Sequence, residues 1–335
     1  MKRDAPRDNQ IMESERVSDT KAVASLPVGG FAPPRSVASS LRSGAQLSPW
    51  STINLFNAFR FVGAHVAALA GALYVGVTPG LVALCFGTYF MRMFFITGGY
   101  HRYFAHRSYK TSRAFQFVLA FMGTTSAQKG VLWWAGHHRN HHRFSDMPED
   151  IHSPVQRGFL WSHVGWLFSP KHDATPDTIR DFASYPELRW LNDHWLVPPL
   201  VGLVGLFLVG GLPALVWGGL VSTVILWHGT FTINSLSHVF GSRRYPTNDD
   251  SRNNFLLALI TMGEGWHNNH HHYMVSARQG FFWYELDVSY LILLALSKVG
   301  IVWDLKRPPA SMLEKRPEVL DEPLVLPVLE VALVK

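Results

Sequence analysis

Four histidines occupy six consecutive positions within the stretch GEGWHNNHHHY, residues 263–273. Neutral imidazole is the commonest metal ligand among side chains, whereas crowded imidazolium groups repel one another. An earlier stretch, GHHRNHHRFSD, also contains four histidines, and HRYFAHRSYK contains two. NSLSH adds Asn234 and His238, which are four residues apart. Histidine clusters at four points of the chain favour a metal site over a solvated histidine-rich surface.

Spacing indicates which of these side chains can share a metal. Two clusters have the pattern H-x-x-H-H, and residues three and four apart lie on one helix face, so each cluster can direct three imidazoles at one point. His101 and His106 are five apart and diverge by about 140° on a regular helix, so they converge only if the helix ends between them or if they bind from two sides. His137 and His272 fall outside the shared register and are interpreted as flanking residues. The selected donors are His101, His106, His138, His141, His142, His238, His267, His270, His271 and Asn234.

Nine imidazoles are too many for one ion, because a structural zinc takes four ligands. They suit two ions with four or five ligands each. The single cysteine, Cys85, excludes a disulfide framework and a cysteine-based metal site. Imidazole suits iron, zinc, copper or nickel, so the residues alone leave the metal open. The remaining histidines have no partner at ligand spacing and are interpreted as structural: His65, His152, His163, His172, His194 and His228.

Membrane helices are the elements that must position these side chains. Of the 335 residues, 47% are hydrophobic and only 16% are charged, whereas about a quarter are charged in ordinary soluble domains. No Asp, Glu, Lys or Arg lies between Arg60 and Arg92 or between Asp193 and Arg243. A crossing needs about 20 apolar residues, so each uncharged run can form a hairpin around its Gly/Pro turn, VTPG or GGLPALVWGG. The sequence predicts four transmembrane helices near residues 55–76, 81–98, 196–212 and 218–236.

Basic residues predict the orientation of these helices. Neither reversal carries Lys or Arg, whereas the first fifty residues contain seven. The positive-inside rule therefore places both termini and the histidine clusters in the cytoplasm. The net charge of +6 is interpreted as a consequence of the membrane topology and of contact with the anionic head groups of the lipid bilayer. No motif indicates binding of nucleic acid. Residues 1–50 lack a signal-peptide core and are predicted to be a disordered tail, and residues 308–335 a Pro-rich tail.

The sequence resembles the integral-membrane fatty acyl desaturases of the stearoyl-CoA and bacterial acyl-lipid delta-9 type. The resemblance rests on HRYFAHRSYK, HHRNHHRFSD, RGFLWSHVGWL, NSLSHVFG and GEGWHNNHHH, in this order. It implies an all-α integral membrane protein, with four transmembrane helices in two hairpins under a cytosolic cap that holds a di-iron site. It further implies that the nine histidines bind two iron ions and that Asn234 acts through a water. The desaturase domain is placed at residues 51–307, and in a bacterium it would lie in the inner membrane.

The resemblance also implies an oxidoreductase that introduces a cis double bond, at the delta-9 position, into a saturated acyl chain. Removing hydrogen from an unactivated methylene is beyond any side-chain acid or base. O2 is expected to be reduced to water, with two electrons from the substrate and two from an external donor. The sequence has no cytochrome b5-like HPGG segment, so the donor is predicted to be a separate ferredoxin or cytochrome b5 with its reductase.

The acyl chain is expected to lie in an apolar tunnel that begins at the membrane face. Cys85, Tyr89 and Met93 recur every four residues and form one stripe on the second crossing. Tyr89 lies twelve residues before His101, about 18 Å along a helix. The resemblance implies that bulky residues here limit chain length, although Tyr89 could instead pack against the first crossing. Six tryptophans near the histidine clusters are candidates for the tunnel wall or for an interfacial aromatic belt: Trp133, Trp134, Trp161, Trp166, Trp266 and Trp283.

The acyl carrier is predicted to be a glycerolipid at least as readily as CoA. Animal acyl-CoA enzymes of this type carry an Arg two residues before the second histidine cluster and an Arg-Lys pair after SHVGWL. Here these places hold Gly136 and Pro170-Lys171. Phosphate groups favour Arg forks, so the loss weakens the case for CoA. Lys171, Arg157 and Lys129 remain candidates for binding the head group of the carrier.

Two other functions are compatible with the clusters. A membrane hydroxylase or alkane monooxygenase would use similar histidines for oxygen insertion, although the NSLSH and GEGWHNNHH contexts favour desaturation. A non-enzymatic metal transporter would place polar ligands near the membrane midplane, whereas these clusters are predicted to lie outside the bilayer.

Overall fold

The computed structural model describes residues 53–314, which are mainly helical. The predicted N-terminal tail lies outside the described residues, as does the C-terminal tail beyond residue 314. The α-helices are α1 Leu55–Val75, α2 Pro79–Phe94, α3 Arg113–Thr124, α4 Val131–Phe144, α5 Pro154–Arg157, α6 Phe159–His163, α7 Arg180–Ala183, α8 Pro186–Asp193, α9 Val197–Ala214, α10 Ser222–Ser235, α11 Phe255–Ile260, α12 His267–His272, α13 Val288–Lys298 and α14 Ala310–Glu314. The strands are β1 Lys110–Thr111 and β2 Val302–Trp303, which pair antiparallel.

The first two helices are separated by the predicted turn, VTPG, and each begins at a capping residue. Asn54 caps α1, because its Oδ1 accepts two backbone N–H groups of the first turn. Helix α1 ends at Gly76, whose φ of 80° favours glycine. Thr78 caps α2, and Pro79 occupies the first helical position, where its missing N–H costs no hydrogen bond.

Helix α2 continues directly into a π-helical segment, Phe95–Ala105, which carries the first histidine cluster. The backbone N–H of His106 donates to the carbonyl oxygen of His101 at 3.1 Å, which is the i→i+5 bond of a π-turn. The wider winding places residues five apart on one face. The segment ends at Ala105, between the two histidines, as one of the two sequence-based alternatives required. The π-turn itself was not anticipated.

Within residues 53–314, three helical stretches are long and apolar enough to cross a membrane: Leu55–Val75, Pro79–Ala105 and Val197–His238. The third contains 42 residues, about 63 Å at 1.5 Å per residue, against a hydrocarbon core of about 30 Å. Its backbone leaves helical geometry at Gly210 (φ −139°, ψ 19°) and Gly211 (φ 61°, ψ −157°). The two helices predicted near 196–212 and 218–236 are therefore one stretch, broken by a kink at the start of the predicted turn.

Buried ionic contacts attach the π-helical segment to the last histidine cluster. The side chain of Arg102 is fully buried and donates to Asp287 Oδ1 at 2.9 Å and to Glu264 Oε1 at 3.1 Å. Such pairs hold their elements strongly, because removing one partner leaves an uncompensated buried charge. Arg102 follows His101 in the chain, so this contact helps to fix the first cluster.

Candidate metal centre and acyl cavity

Five histidines from three parts of the chain converge in one cluster, called group A here. Their ligand nitrogens all lie within 4.8 Å of one another. The Nε2 atoms approach one another in pairs, at 3.0 Å for His101 and His270 and at 2.9 Å for His142 and His270. Group A consists of His101, His106, His138, His142 and His270.

Four further histidines form a second cluster, group B. Its ligand nitrogens also lie within 4.8 Å of one another, and the Nε2 atoms of His238 and His267 are 3.1 Å apart. The two groups are adjacent, because the rings of His142 and His271 have centroids 4.3 Å apart. Group B consists of His141, His238, His267 and His271.

These nitrogen positions fit metal ions. Two imidazole nitrogens bound at about 2.0–2.1 Å and at a right angle lie about 2.9 Å apart, close to the observed 2.9–3.1 Å. The buried Nε2 of His271 has no hydrogen-bond partner among the described residues. A buried polar atom without a partner is costly, so this nitrogen indicates a ligand.

Each H-x-x-H-H cluster divides its imidazoles between the two groups. His138 and His142 belong to group A and His141 to group B. In the last cluster the order is reversed, so that the central His270 joins group A and its two partners join group B. The expectation that each cluster directs three imidazoles at one point is therefore wrong.

Carboxylates hold the outer nitrogens of four of these histidines, and sequence reasoning missed them. Asp150 contacts His141 Nδ1 at 3.0 Å, and Asp146 contacts His238 Nδ1 at 2.8 Å. His271 Nδ1 lies 2.5 Å from Asp249, and Glu264 contacts His101 Nδ1. A proton held on Nδ1 leaves Nε2 free to bind metal and fixes the ring orientation. The available signal was SDMPED and GEGWH, which place acids beside histidine clusters.

Burial sets the protonation of the imidazoles. In group A, burial and then the neighbouring histidines lower the pKa values of His106, His138, His142 and His270 well below the ordinary value. Neutral imidazole is the form that binds metal. Group A is therefore ready to accept a cation.

The carboxylates beside group B remain ionised. Burial raises the pKa of Asp146, but the hydrogen bond and charge of His238 outweigh burial and lower it to about 2. Burial lowers the pKa of His141, but the charge of Asp150 prevails and raises it above the ordinary value. Negative charge around group B therefore favours a bound cation.

Several histidines outside the predicted set have defined places. His137 lies 3.1 Å from the carbonyl oxygen of Ala174, and His272 stacks on Tyr245, in keeping with their interpretation as flanking residues. His152, interpreted as structural, instead clusters with His141 and Asp150. His152 lies in the loop after α4, so helical spacing could not indicate its contact with His141.

A hydrogen-bonded chain joins three other histidines, none of which has a partner at ligand spacing in the sequence. His228 Nε2 lies 2.9 Å from His65 Nε2, and His228 Nδ1 lies 2.9 Å from His163 Nε2. The residues come from three separate helices, so no local spacing could indicate the contact. Both nitrogens of His228 are used, which leaves it no lone pair for a metal.

A cavity of about 100 Å³ lies against group A. The Trp134 ring in its wall stacks on His138 with an interplanar angle of 19°. Trp134 Nε1 donates to Gln128 Oε1 at 3.3 Å, and Gln128 Nε2 donates to Thr230 Oγ1 at 3.0 Å. Asn234 also lines the cavity. A polar chain therefore crosses an otherwise largely aromatic wall.

The candidates on the second crossing and Trp266 lie outside this cavity. Cys85, Tyr89 and Met93 are buried, and the Tyr89 hydroxyl donates to Ile260 O at 2.6 Å. Among the described residues, none of the three lines either of the two cavities found. Trp266 is buried, and its Nε1 donates to a backbone carbonyl at 2.9 Å. Of the tryptophan candidates, Trp133, Trp134 and Trp166 line the cavity, whereas Trp283 is exposed. The chain-length role of Tyr89 stays a prediction.

Two of the three candidates for binding the head group of the carrier already form ion pairs or hydrogen bonds within the protein. Lys129 lines the cavity and pairs with Asp173 at 2.5 Å. Arg157 donates to the carbonyl oxygens of Asp150 and Pro148 at 2.9 and 2.8 Å. Lys171 is exposed.

The fatty acid desaturase profile matches residues 76–288 of the sequence. The chain belongs to the fatty acid desaturase family. It is 36% identical over 279 residues to the sn-1 stearoyl-lipid 9-desaturase of Synechocystis sp., with 82% of this chain and 86% of the relative covered.

Two further relatives show how the family varies. The chain is 34% identical over 282 residues to a hex-5-enoyl-(acyl-carrier protein) acetylenase of Moorena producens, with 78% of this chain and 88% of the relative covered. It is 32% identical over 271 residues to the icosanoyl-CoA 5-desaturase of Limnanthes douglasii, with 79% and 76% covered. The comparisons confirm the predicted family, and the protein is a fatty acyl desaturase, an oxidoreductase.

Proposed function

We propose that this protein is an O2-dependent desaturase that introduces a cis double bond at the delta-9 position of a saturated acyl chain. The observation that carries the proposal is the position of Trp134, which stacks on His138 of group A and also lines the cavity. An acyl chain in this cavity would lie directly beside the metal ligands.

Two iron ions are the proposed cofactors, one held by group A and one by group B, with Asn234 acting through a water. Bound iron supplies the one-electron and O2 chemistry that side chains lack. The ionised Asp146, Asp150 and Asp249 carboxylates hold the Nδ1 protons, so that the Nε2 atoms keep their positions. An external ferredoxin or cytochrome b5 is the proposed electron donor.

The cavity wall is proposed to orient the acyl chain. Trp134 keeps the His138 ring in place and excludes water from that side of group A. Gln128 and Thr230 satisfy each other's polar groups, so their apolar neighbours can contact methylene groups without leaving a buried donor unpaired. Such positioning matters, because a misplacement of about 1 Å can cost about a hundredfold in rate.

We also propose that the chain crosses the membrane four times, with residues 51–307 forming one membrane domain. The kink at Gly210 and Gly211 supports a turn, because it divides the long Val197–His238 stretch. The distribution of basic residues supports a cytoplasmic position for the histidine clusters and both termini.

A glycerolipid is the proposed acyl carrier. Lys129 is paired with Asp173 and Arg157 donates to backbone carbonyls, so these two side chains would have to leave existing contacts to bind CoA phosphates. The names of the three relatives include a lipid, an acyl-carrier protein and CoA, so similarity leaves the carrier open. Purified enzyme given stearoyl-CoA or stearoyl-phospholipid vesicles tests this point. Efficient use of stearoyl-CoA alone would contradict it.

Lipid profiling tests the reaction itself. A desaturase-deficient host that expresses this chain is expected to accumulate monounsaturated acyl chains in place of saturated ones, with the double bond located by mass spectrometry. Hydroxylated chains as the main product would instead assign the protein to oxygen insertion.

A further inference from the structure

Arg92 is a buried cation, and no carboxylate within residues 53–314 forms an ion pair with it. Only 6% of the residue is exposed. Its guanidinium donates to Thr88 O at 3.2 Å, Thr223 Oγ1 at 2.5 Å, Ser222 Oγ at 2.7 Å and Gly218 O at 3.4 Å. All four acceptors are neutral. The three stretches that can cross a membrane contain no Asp or Glu.

These contacts leave the guanidinium incompletely satisfied. Arg has five N–H donors, and the four contacts leave one Nη1 N–H without a partner among the described residues. The bond to Gly218 is also long, at 3.4 Å. A charged side chain within a membrane segment is expensive and usually marks a functional pathway or binding site.

Arg92 lines a second cavity, of about 400 Å³, which is within the usual range for small-molecule sites. Its wall is largely apolar and includes Leu203, Leu206 and Phe121. Leu200 in the same wall is 57% exposed, on the outer surface of α9. A ligand of this cavity therefore needs an apolar body that can arrive from the bilayer.

We propose that the second cavity binds a free fatty acid, with its carboxylate on Arg92 and its hydrocarbon chain along the leucines of α9. A carboxylate would accept a charge-assisted hydrogen bond from the free Nη1 N–H and would supply the missing negative charge.

The depth of Arg92 selects a carboxylate over a phosphate. Arg92 is the central residue of the 27-residue stretch Pro79–Ala105, about 20 Å from either end. A carboxylic acid can enter the hydrocarbon region in its neutral form and ionise beside the guanidinium, whereas a phosphodiester remains charged at every depth.

This site is separate from the acyl cavity of the proposed reaction. Three residues belong to both walls, Arg60, Ala127 and Trp227, but Arg92 lines only the second cavity. Thr230 lines only the first cavity and Leu200 only the second, so each cavity can be filled by substitution without the other. The inference therefore does not depend on the proposed function.

Binding of oleate to the full-length, iron-loaded protein in phosphatidylcholine nanodiscs tests the proposal, with methyl oleate as the ligand that lacks the charge. Wild-type protein is expected to bind oleate at least about tenfold more tightly than the ester, as loss of charge-assisted bonds implies. Arg92→Gln should remove this preference, and Arg92→Lys should keep most of it. Leu200→Trp should abolish oleate binding, and Thr230→Trp should preserve it.

Equal affinity for oleate and its ester, or an unchanged preference in Arg92→Gln, would overturn the proposal. Loss of binding in Thr230→Trp but not in Leu200→Trp would place oleate in the acyl cavity and would also overturn it. Tighter, Arg92-dependent binding of lysophosphatidate would reject the carboxylate ligand. If Arg92→Gln does not fold, as judged by lost iron, the Arg92→Lys and Leu200→Trp arms decide the outcome.

Discussion

His141 and His142 are neighbours in the chain, with ring centroids 5.5 Å apart, yet they belong to different imidazole groups. Consecutive residues point about 100° apart on a helix, so one turn of α4 supplies a ligand to each group. His270 and His271 repeat the relationship on α12, with centroids 5.7 Å apart. The two metal positions therefore share both helices, and disturbing one is expected to disturb the other.

The Asp249 carboxylate should control metal affinity through His271. Asp249→Asn removes the charge 2.5 Å from His271 Nδ1 and is expected to weaken iron binding about 10–100-fold. Iron retained after dialysis against graded chelator measures the effect. Asp177→Asn is the matched control. The Asp177 side chain is 86% exposed and pairs with Arg180, not with a histidine of group A or group B. Equal iron retention in the two variants would contradict the assigned role.

The hydroxyl of Thr230 should affect turnover but not metal content. Thr230→Val leaves the Gln128 amide without its acceptor in the cavity wall, and a loss of about 1–1.4 kcal/mol predicts a decrease of about five- to tenfold in kcat/KM. Thr232→Val is the control, because the Thr232 hydroxyl donates to Gly229 O and lies outside the wall. Steady-state desaturation rates with iron per chain measure both. Normal rates in Thr230→Val would remove this polar chain from substrate positioning.

Tyr89→Ala should shift the preference toward longer acyl chains without moving the double bond counted from the carboxyl end. Tyr89 packs where α2 meets Gly229 of α10, so removing its ring opens space between these helices. Product analysis over a series of chain lengths checks the prediction. Phe86→Ala is the control, because Phe86 is 46% exposed on the same helix. An unchanged length profile in an active Tyr89→Ala enzyme would exclude Tyr89 from the tunnel.

The sequence contains enough information to predict the nine converging histidines, because helical spacing is a local property. The sequence could not predict how these histidines divide between groups A and B, since the division depends on where two helices meet. The π-turn between His101 and His106 was also hidden, because a regular helix sends residues five apart to different faces. Asp146, Asp150 and Asp249 reach histidines through loops, whose paths follow no periodic pattern.

The predicted membrane helices show the same limit of reasoning from the sequence. Apolar runs and turn residues predict α1 and α2 closely, because length and hydrophobicity determine which segments can cross. The same reasoning predicted a turn over residues 210–219, whereas helix resumes directly after Gly211. The partner of each buried polar side chain, such as His228 or Arg92, depends on packing between distant helices.

Iron content measured together with turnover tests the central claim most directly. Wild-type protein is expected to contain about two irons per chain, as two groups of four and five imidazoles imply. His141→Ala, which removes a ligand of group B, and His142→Ala, which removes one of group A, should each lose most of their iron and all detectable desaturation. His272→Ala, whose ring stacks on Tyr245 outside both groups, should keep two irons and substantial activity. Near-normal iron and desaturation in His141→Ala would contradict the account.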